Sequence, residues 1–235
     1  MQTVYEPAGK AKEYGELALN IYSGCTHACT YCYAPNVLHR DRNEFHRNVI
    51  ARPGIVDAVK ERLYKGDIKG KEIFLCFTCD PFPMGINHAP TFEIILAIKN
   101  SGSHAAILTK GNPDKNLFDL IDSNDRFGVT ISCSLGTSSV IEPRAATVYE
   151  RTHSLYMAKQ KGIKTFVSCE PVYEKSFIYE MIKTADYIDE FRIGKLNYHP
   201  SDINWKVFGR TCEELCKEYG RNYMIKDGLR KCMEG

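Results

Sequence analysis

Residues 22–34 read YSGCTHACTYCYA and place three cysteines, Cys25, Cys29 and Cys32, on one short stretch with the spacing C-x3-C-x2-C. Thiolates are soft ligands that suit zinc and iron–sulfur clusters, and three on one loop can surround a single metal centre. A structural zinc site takes four ligands, so it would need one more from elsewhere in the chain. Nearby imidazoles are less natural candidates for that fourth ligand: His27, His39 and His46. The alternative is a [4Fe–4S] cluster held at three irons, with the fourth iron open.

The composition is that of a globular chain without a strong charge. The sequence has 235 residues, of which 43% are hydrophobic, which is enough for one large core or two small ones, and we expect one domain. Lys and Arg total 31 against 29 Asp and Glu, a net charge of +2. Such a balance provides no large electrostatic field toward polyanions, so nucleic-acid binding is neither implied nor excluded.

The N-terminal residues MQTVYEPAGKAKEYG lack the apolar core of a signal peptide. No apolar run approaches the roughly 18 to 20 residues of a membrane span. We therefore expect a cytoplasmic protein with no membrane partner. Ten cysteines are many for a reducing compartment, where disulfides do not persist, so several should be ligands, catalytic thiols or small buried hydrophobes.

Short β-branched and aromatic runs alternate with longer helical patterns, which is typical of parallel β/α units. Helices are expected behind every strand, for example after Pro53 and over the amphipathic stretch 203–220. The six expected strands are residues 16–22, 72–78, 105–110, 127–135, 164–170 and 187–196. Such a chain forms either an open doubly wound sheet or an incomplete TIM barrel, and both place ligands at the carboxyl ends of the strands.

The cysteine spacing, with an aromatic before the last cysteine, resembles the radical S-adenosylmethionine (SAM) superfamily. The stretches GCTHACTYCYA, TCDPF, ILTKG, SLGTSSVIEPRAATVYER and VSCEPV resemble, in order, landmarks of its spore photoproduct lyase-like branch, over residues 16 to 175. The tail, from RIGKLNYHPSDINW to YMIKDGL, is similar to bacterial and phage radical enzymes of the same branch.

The resemblance implies a single α/β domain over residues 1–235, with a partial TIM barrel, (β/α)6, as core at 16–200 and a C-terminal helix and extension at 201–235. It implies a [4Fe–4S] cluster on the three cysteines and SAM at the carboxyl ends of the strands. The reduced cluster would cleave SAM to a 5′-deoxyadenosyl radical that abstracts hydrogen from the substrate. A flavodoxin- or ferredoxin-like protein would supply the electron.

The resemblance also assigns five residues to the cofactor. Tyr31 would lie against the adenine, and Asp80 would take the methionine amino group, although TCDP departs from the glycine-rich form of other branches. Lys110 and Ser134 would approach the ribose or the carboxylate, and Arg151 could clamp the carboxylate with two hydrogen bonds.

Each assignment has a structural alternative. Tyr31 could pack within its loop, and the aspartate could initiate a turn before Pro81. Lys110 or Ser134 could serve a helix start, and Arg151 could form a surface ion pair with Glu150 or Glu142.

Three residues on late strand ends, Glu170, Lys195 and Asn197, are substrate-side candidates, with an internal Glu170–Lys195 ion pair as the alternative. Cys76 or Cys79 could donate hydrogen to a product radical, as a strand-end cysteine does in spore photoproduct lyase. Because side chains alternate along a strand, at most one of these two thiols should point into the barrel.

A second cluster on Cys212, Cys216 and Cys232 is conceivable, but the first two lie on the apolar stripe of the last helix, which favours core packing. Candidate substrates are a nucleic-acid component or lesion, a peptide or a small metabolite. The alternative to an enzyme is a non-catalytic module that binds zinc or an iron–sulfur cluster.

Overall fold

In the computed structural model, which describes residues 3–234, seven parallel strands form one open sheet whose spatial order follows the chain. A doubly wound sheet would reverse its strand order at one point, so the sequential order confirms the partial barrel. The strands are β1 (Leu17–Leu19), β2 (Glu72–Leu75), β3 (His104–Thr109), β4 (Arg126–Thr130), β5 (Lys164–Cys169), β6 (Glu190–Ile193) and β7 (Asn222–Ile225).

Helices connect the strands and cover the outer face of the sheet. They are α1 (Ala34–Val37), α2 (Arg42–Arg47), α3 (Ile55–Tyr64), α4 (Ala89–Asn100), α5 (Leu117–Leu120), α6 (Leu135–Ile141), α7 (Val148–Gln160), α8 (Lys175–Thr184), α9 (Trp205–Glu218) and α10 (Asp227–Glu234), preceded by a 3-10 helix at Gly9–Glu13. Within residues 3–234, no helix has the length and apolar character needed to cross a membrane.

The barrel has one strand more than the six that the sequence predicts. The seventh, β7, pairs with β6 in a segment that the sequence analysis assigned to the C-terminal extension. Its hydrophobic signal is weak, because β7 has four residues and only Ile225 is buried. At the other edge, β1 is shorter than expected and ends before Asn20, whose side-chain oxygen accepts from the backbone N–H groups of Phe77 and Thr78 in the turn after β2.

Alternation along the strands separates an outer core from a barrel interior. In β2, Ile73 and Leu75 join the large core beneath the helices, whereas Phe74 points inward. The inward cluster consists of Ala18, Phe74, Ala106 and Phe166. The large core continues through α9 and α10, so the tail of the chain packs on the same core as the barrel.

The N-terminal segment enters the barrel interior. Tyr5 pairs with Ala18 on the free edge of β1, and the chain then continues through the 3-10 helix to Tyr14. The Tyr14 ring lies 5.1 Å from that of Phe74, and its hydroxyl is 2.8 Å from Ser168 Oγ on β5. The segment therefore fills part of the barrel with an aromatic side chain.

Gly128 on β4 leaves the space that the Phe166 ring occupies inside the barrel, since a Cβ at this position would lie 2.5 Å from the ring. We expect Gly128→Ala to lower the free energy of unfolding by about 1–3 kcal/mol, because the buried ring would have to move. Chemical denaturation measures this loss.

Gly136→Ala in α6 is the matched control, because a Cβ there meets no atom within 4 Å. Alanine suits a helix better than glycine, so this variant should be as stable as the natural chain or more stable. Equal stability of the two variants would contradict the packing argument.

Candidate cluster and cofactor site

The cysteine loop follows β1 at the carboxyl rim of the barrel, and α2 holds its first part. Gly24 lies so close to Phe45 that a Cβ would be 2.1 Å from the Phe45 carbonyl oxygen. The backbone N–H of Cys25 donates to that same oxygen (3.3 Å), and Nδ1 of buried His46 lies 2.8 Å from the Cys25 carbonyl oxygen. The loop therefore enters the site in a fixed position against α2.

Arg42, also on α2, holds the part of the loop that carries the other two cysteines. Its guanidinium donates to the carbonyl oxygens of Cys29 (2.6 Å), Thr30 (2.8 Å) and Cys32 (3.0 Å). Carbonyls of a loop that forms no helix or strand need such partners when water is excluded. One arginine thus fixes the backbone around two of the three thiols.

The end of α6 and the residues just after it hold the opposite side of the loop. Thr30 donates its backbone N–H to the Ile141 carbonyl (2.8 Å), and Arg144 donates its own to the His27 carbonyl (3.2 Å). Between these contacts, the Tyr31 hydroxyl donates to the carboxylate of Glu142. The loop is therefore clamped between α2 and residues 141–144.

The three thiols suit a cluster with an open iron. Of the candidate fourth ligands of a zinc site, His27 is engaged by the protein, whereas Nε2 of buried His46 has no hydrogen-bond partner in the described part of the chain. Both ring nitrogens of buried His27 have protein partners, since Nδ1 lies 3.5 Å from Asp80 Oδ2 and Nε2 accepts from the backbone N–H of Met84 (3.4 Å). Among residues 3–234, no three Cys, His, Asp or Glu side chains converge as ligands of one metal ion. A [4Fe–4S] cluster binds each thiolate through a different iron, so its ligands need not converge.

The three thiols are protonated in the metal-free protein. Burial raises the pKa of Cys25 well above its ordinary value, with a further contribution from Asp80, and burial also raises the pKa of Cys32. Burial raises the pKa of Cys29 to about 11, although Lys110 opposes the shift. Binding of iron would therefore displace protons from these thiols.

Asp80, the expected partner of the methionine amino group, is buried and bonded to the protein. Its Oδ1 accepts from the backbone N–H of Phe82 (2.8 Å) and the Thr109 hydroxyl, and its Oδ2 accepts from the backbone N–H of Lys110 (2.8 Å). Since it also faces His27, the carboxylate joins the ends of β2 and β3 to the cysteine loop.

Lys110 and Tyr31 lie together next to the cysteines. The Lys110 ammonium is 5.6 Å from the centroid of the Tyr31 ring. The centroids of the Tyr31 and Tyr173 rings are 5.8 Å apart. Burial lowers the pKa of Lys110, but the thiolate form of Cys29 and the carboxylates of Glu142 and Asp80 raise it above its ordinary value overall. The site therefore contains a fixed positive charge beside the cysteine loop.

Ser134 and Arg151 have protein partners. Ser134 precedes α6, and its backbone N–H and hydroxyl both donate to Glu174 (3.1 Å each). Arg151 is completely buried and pairs with Glu142 at 2.6 Å. This is one of the two ion pairs that the sequence analysis named as alternatives, but it lies in the interior instead of on the surface.

Two of the substrate-side candidates meet at the rim. The Asn197 amide donates to Glu170 Oε1 at 2.9 Å, whereas Glu170 Oε2 accepts from the ammonium of Lys226, so the alternative Glu170–Lys195 pair is replaced by one with Lys226. Lys226 also donates to the Tyr14 hydroxyl (3.0 Å). Lys195 lies nearby, with its Cε 3.9 Å from the position a Cβ on Gly228 would take.

Strand alternation does not extend through Cys76 and Cys79, because β2 ends at Leu75 and Cys76 has a left-handed backbone with φ of 73°. The expectation that at most one of the two thiols points into the barrel agrees with the structure. Both thiols contact the outer core, and the Cys79 sulfur accepts from the backbone N–H of Tyr22 at 3.4 Å. Phe77 is the residue of this turn that packs against the inward cluster. The barrel interior at this point is therefore aromatic.

Cys212 and Cys216 of α9 are fully buried in the outer core, as their place on the apolar stripe predicts. The partly exposed Cys232 of α10 donates to the Gly228 carbonyl (3.4 Å). These contacts support the packing interpretation over a second cluster.

Sequence reasoning missed several residues that support the site. Three of them form hydrogen bonds with residues 10 to 212 positions away in the chain: Arg42, Asn20 and Lys226. No local sequence pattern predicts contacts of this kind. Glu142 was named only as an ion-pair partner. Its position in EPRAATVYER, nine residues before Arg151, is the signal that could have indicated a buried pair.

No protein-family profile matches the chain. Among curated proteins it is similar to the uncharacterized protein ORF301 of Acidianus two-tailed virus, with 29% identity over 196 residues, 77% of this chain and 64% of that protein. The uncharacterized protein MJ0683 of Methanocaldococcus jannaschii is 26% identical over 213 residues, 88% of this chain and 78% of the relative. The chain spans 52% of the uncharacterized protein Rv2578c of Mycobacterium tuberculosis, at 26% identity over 183 residues.

Solved structures share the architecture at low sequence identity. A spore photoproduct lyase variant with bound AdoMet and dinucleoside spore photoproduct superposes with a TM-score of 0.62 at 15% identity, over 94% of this chain and 66% of that one. SuiB of Streptococcus suis gives 0.61 at 13% identity, over 88% and 48%. The radical SAM methyltransferase TsrM of Kitasatospora setae, with cobalamin and a [4Fe–4S] cluster bound, gives 0.53 at 17% identity, over 80% and 36%. The chain therefore has the fold of the radical SAM enzymes, in the form that spore photoproduct lyase shows.

Proposed function

We propose that this protein is a radical SAM enzyme. The observation that carries the proposal is the cysteine loop: three thiols at the carboxyl rim of a partial barrel, clamped from two sides, with the imidazole of His27 bonded to protein groups. Three thiolates leave one iron of a [4Fe–4S] cluster free for a cofactor. AdoMet is bound on this fold in a spore photoproduct lyase variant.

When bound, a reduced cluster held by Cys25, Cys29 and Cys32 would supply the one electron needed to break the bond between the SAM sulfur and C5′. The protein's own residues would bind and orient the cofactor. The Lys110 ammonium, which stays protonated beside the cysteine loop, is suited to the SAM carboxylate as a point charge. Tyr31 would contribute a ring surface for the adenine. Direct contacts of Asp80, Ser134 and Arg151 with the cofactor stay predictions, and each would compete with the protein bonds described above.

An external one-electron donor of the flavodoxin or ferredoxin class is part of the proposal, because each SAM cleavage consumes one electron. The hydrogen-donor role of Cys76 or Cys79 stays a prediction from the resemblance. Their contacts with the outer core do not favour it, because a donor thiol must reach a substrate radical at the rim.

For the substrate we propose a nucleic-acid component as the first class to examine. Its support is the dinucleoside spore photoproduct bound in a structure of the same fold. The polar cluster of Glu170, Asn197 and Lys226, with Lys195 beside it, offers both hydrogen-bond donors and acceptors to a substrate at the rim.

The central test is SAM cleavage by the anaerobically reconstituted, dithionite-reduced protein. We expect 5′-deoxyadenosine, measured by chromatography, and none from Cys29→Ala. Absence of 5′-deoxyadenosine from natural protein with a fully loaded and reduced cluster would overturn the proposed function.

The iron content separates one cluster from two. We expect about four irons per chain in the natural protein, and strong loss in Cys25→Ala, Cys29→Ala or Cys32→Ala, because each removes a ligand. The double variant Cys212→Ala/Cys216→Ala serves as the control and should keep about four irons despite lower stability, because these thiols fill the outer core. A natural protein with about eight irons, reduced to four in the double variant, would instead reveal a second cluster.

Binding to nucleic acid should depend on salt if the substrate is a nucleic-acid component, because phosphate contacts release counterions. We expect weaker binding of a single-stranded oligonucleotide as salt increases, measured by fluorescence anisotropy, and further weakening in Lys195→Ala. Salt-independent or absent binding would favour a peptide or a small metabolite.

A further inference from the structure

The ion pair between Glu142 and Arg151 joins the cysteine loop to the sheet. We propose that these two are positioning residues for the cluster: Arg151 holds the Glu142 carboxylate, and this carboxylate holds Tyr31 between the ligands Cys29 and Cys32. The inference rests on the proposed function. It gives Arg151 a role through Glu142, in place of direct contact with the cofactor.

The geometry around Glu142 places it at the loop. Tyr31 lies one residue before the third cysteine, and its hydroxyl donates to Oε1 of Glu142. The residues on either side of the glutamate act on the same loop through backbone hydrogen bonds, from Thr30 to Ile141 (2.8 Å) and from Arg144 to His27 (3.2 Å). Glu142 thus supplies the side-chain contact in the middle of a backbone clamp.

The carboxylate of Glu142 has partners on both oxygens. Oε1 also accepts from the Ser132 hydroxyl (3.3 Å), two residues after β4, and Oε2 accepts from Ser138 on α6 (3.1 Å) and from Arg151 on α7 (2.6 Å). One side chain therefore connects the cysteine loop, the sheet and two helices. An amide at this position would turn a donor group toward one of these donors.

Arg151 is engaged mainly in holding this arrangement. Besides Glu142, its guanidinium donates to the carbonyl oxygens of Ala146 (2.8 Å) and Thr130 (2.8 Å) and to the hydroxyl of Ser138 (3.0 Å). Four of its five N–H groups are thereby engaged, and the side chain has no exposed surface. A SAM carboxylate could reach it only by displacing these partners, whereas its effect on Tyr31 through Glu142 needs no movement.

The test measures how firmly the protein holds its cluster, without turnover. The variants are Tyr31→Phe, Glu142→Gln and Arg151→Met, and the readout is the rate at which a ferrous chelator removes iron from the reconstituted protein. Loss of a supporting partner of a metal ligand typically lowers metal affinity 10- to 100-fold, so we expect iron release to become about tenfold faster or more in all three variants. The electron paramagnetic resonance signal of the reduced cluster should broaden as the loop loses its single position.

A matched control separates this role from general stability. Asp125 is another fully buried carboxylate, paired with Lys99 at 2.5 Å and bonded to the backbone N–H of Ala105 (2.7 Å), where β4 begins. Asp125→Asn should lower the melting temperature and leave iron release unchanged. Iron release within twofold of the natural rate in both Glu142→Gln and Arg151→Met would overturn the proposal.

The double variant Glu142→Leu/Arg151→Met addresses misfolding of the single variants, because removing both charges leaves no unpaired buried ion. If this variant melts like the natural protein and still releases iron rapidly, the positioning role is supported. If it regains both stability and natural iron release, the pair is only structural and the proposal fails.

Failure of the proposed function gives a different result. In that case the natural protein forms no 5′-deoxyadenosine, or takes up no iron at all. If the protein takes up no iron, the rate at which Cys29 and Cys32 are alkylated in the metal-free protein still measures the order of the loop. This rate should be about tenfold higher in Glu142→Gln than in the natural protein if the Glu142–Arg151 pair positions the loop, and equal to the natural rate if it does not.

Discussion

The cysteine loop has no regular structure of its own, so its shape depends on hydrogen bonds that other parts of the chain give to its backbone. Arg42 donates to three of its carbonyls from one side, and residues 141–144 hold it from the other. Buried backbone groups must be paired, and a loop that cannot pair its own takes partners from its surroundings. The position of the three thiols is therefore a property of the whole rim.

The same dependence explains why several residues expected at the cofactor support the protein instead. Asp80 joins the ends of two strands to the loop, and Arg151 neutralises a buried carboxylate. Burial alone would raise the pKa of Glu142, but Arg151 and Lys110 hold it below its ordinary value, so the carboxylate stays charged. A charged group in the interior is tolerated only with such partners, and removing one partner alone is costly. The rim thus consists of an inner layer that faces the thiols and a supporting layer behind it.

Inside the barrel, the N-terminal segment and the last strand meet. Tyr14 packs against Phe74 and accepts a hydrogen bond from Lys226, which follows β7 and pairs with Glu170 after the end of β5. The Tyr14 hydroxyl and Glu170 hold the pKa of Lys226 above its ordinary value against the effect of burial, so this lysine remains charged. Residues from both ends of the sequence therefore shape the part of the rim that the substrate-side candidates occupy.

The sequence by itself determined the elements with strong local signals. These include the cysteine spacing of Cys25, Cys29 and Cys32, the strands with continuous apolar runs, and the amphipathic α9, because periodicity and ligand chemistry act over a few residues. Only the tertiary structure decided what depends on distant partners: the strand order, the weakly hydrophobic β7, the outer position of Cys76 and the pairing of Glu170 with Lys226. Each of these features depends on contacts between residues that are far apart in the chain. Such residues come together only when the sheet curves and the helices pack on it, and the local periodicity of a sequence does not contain this information.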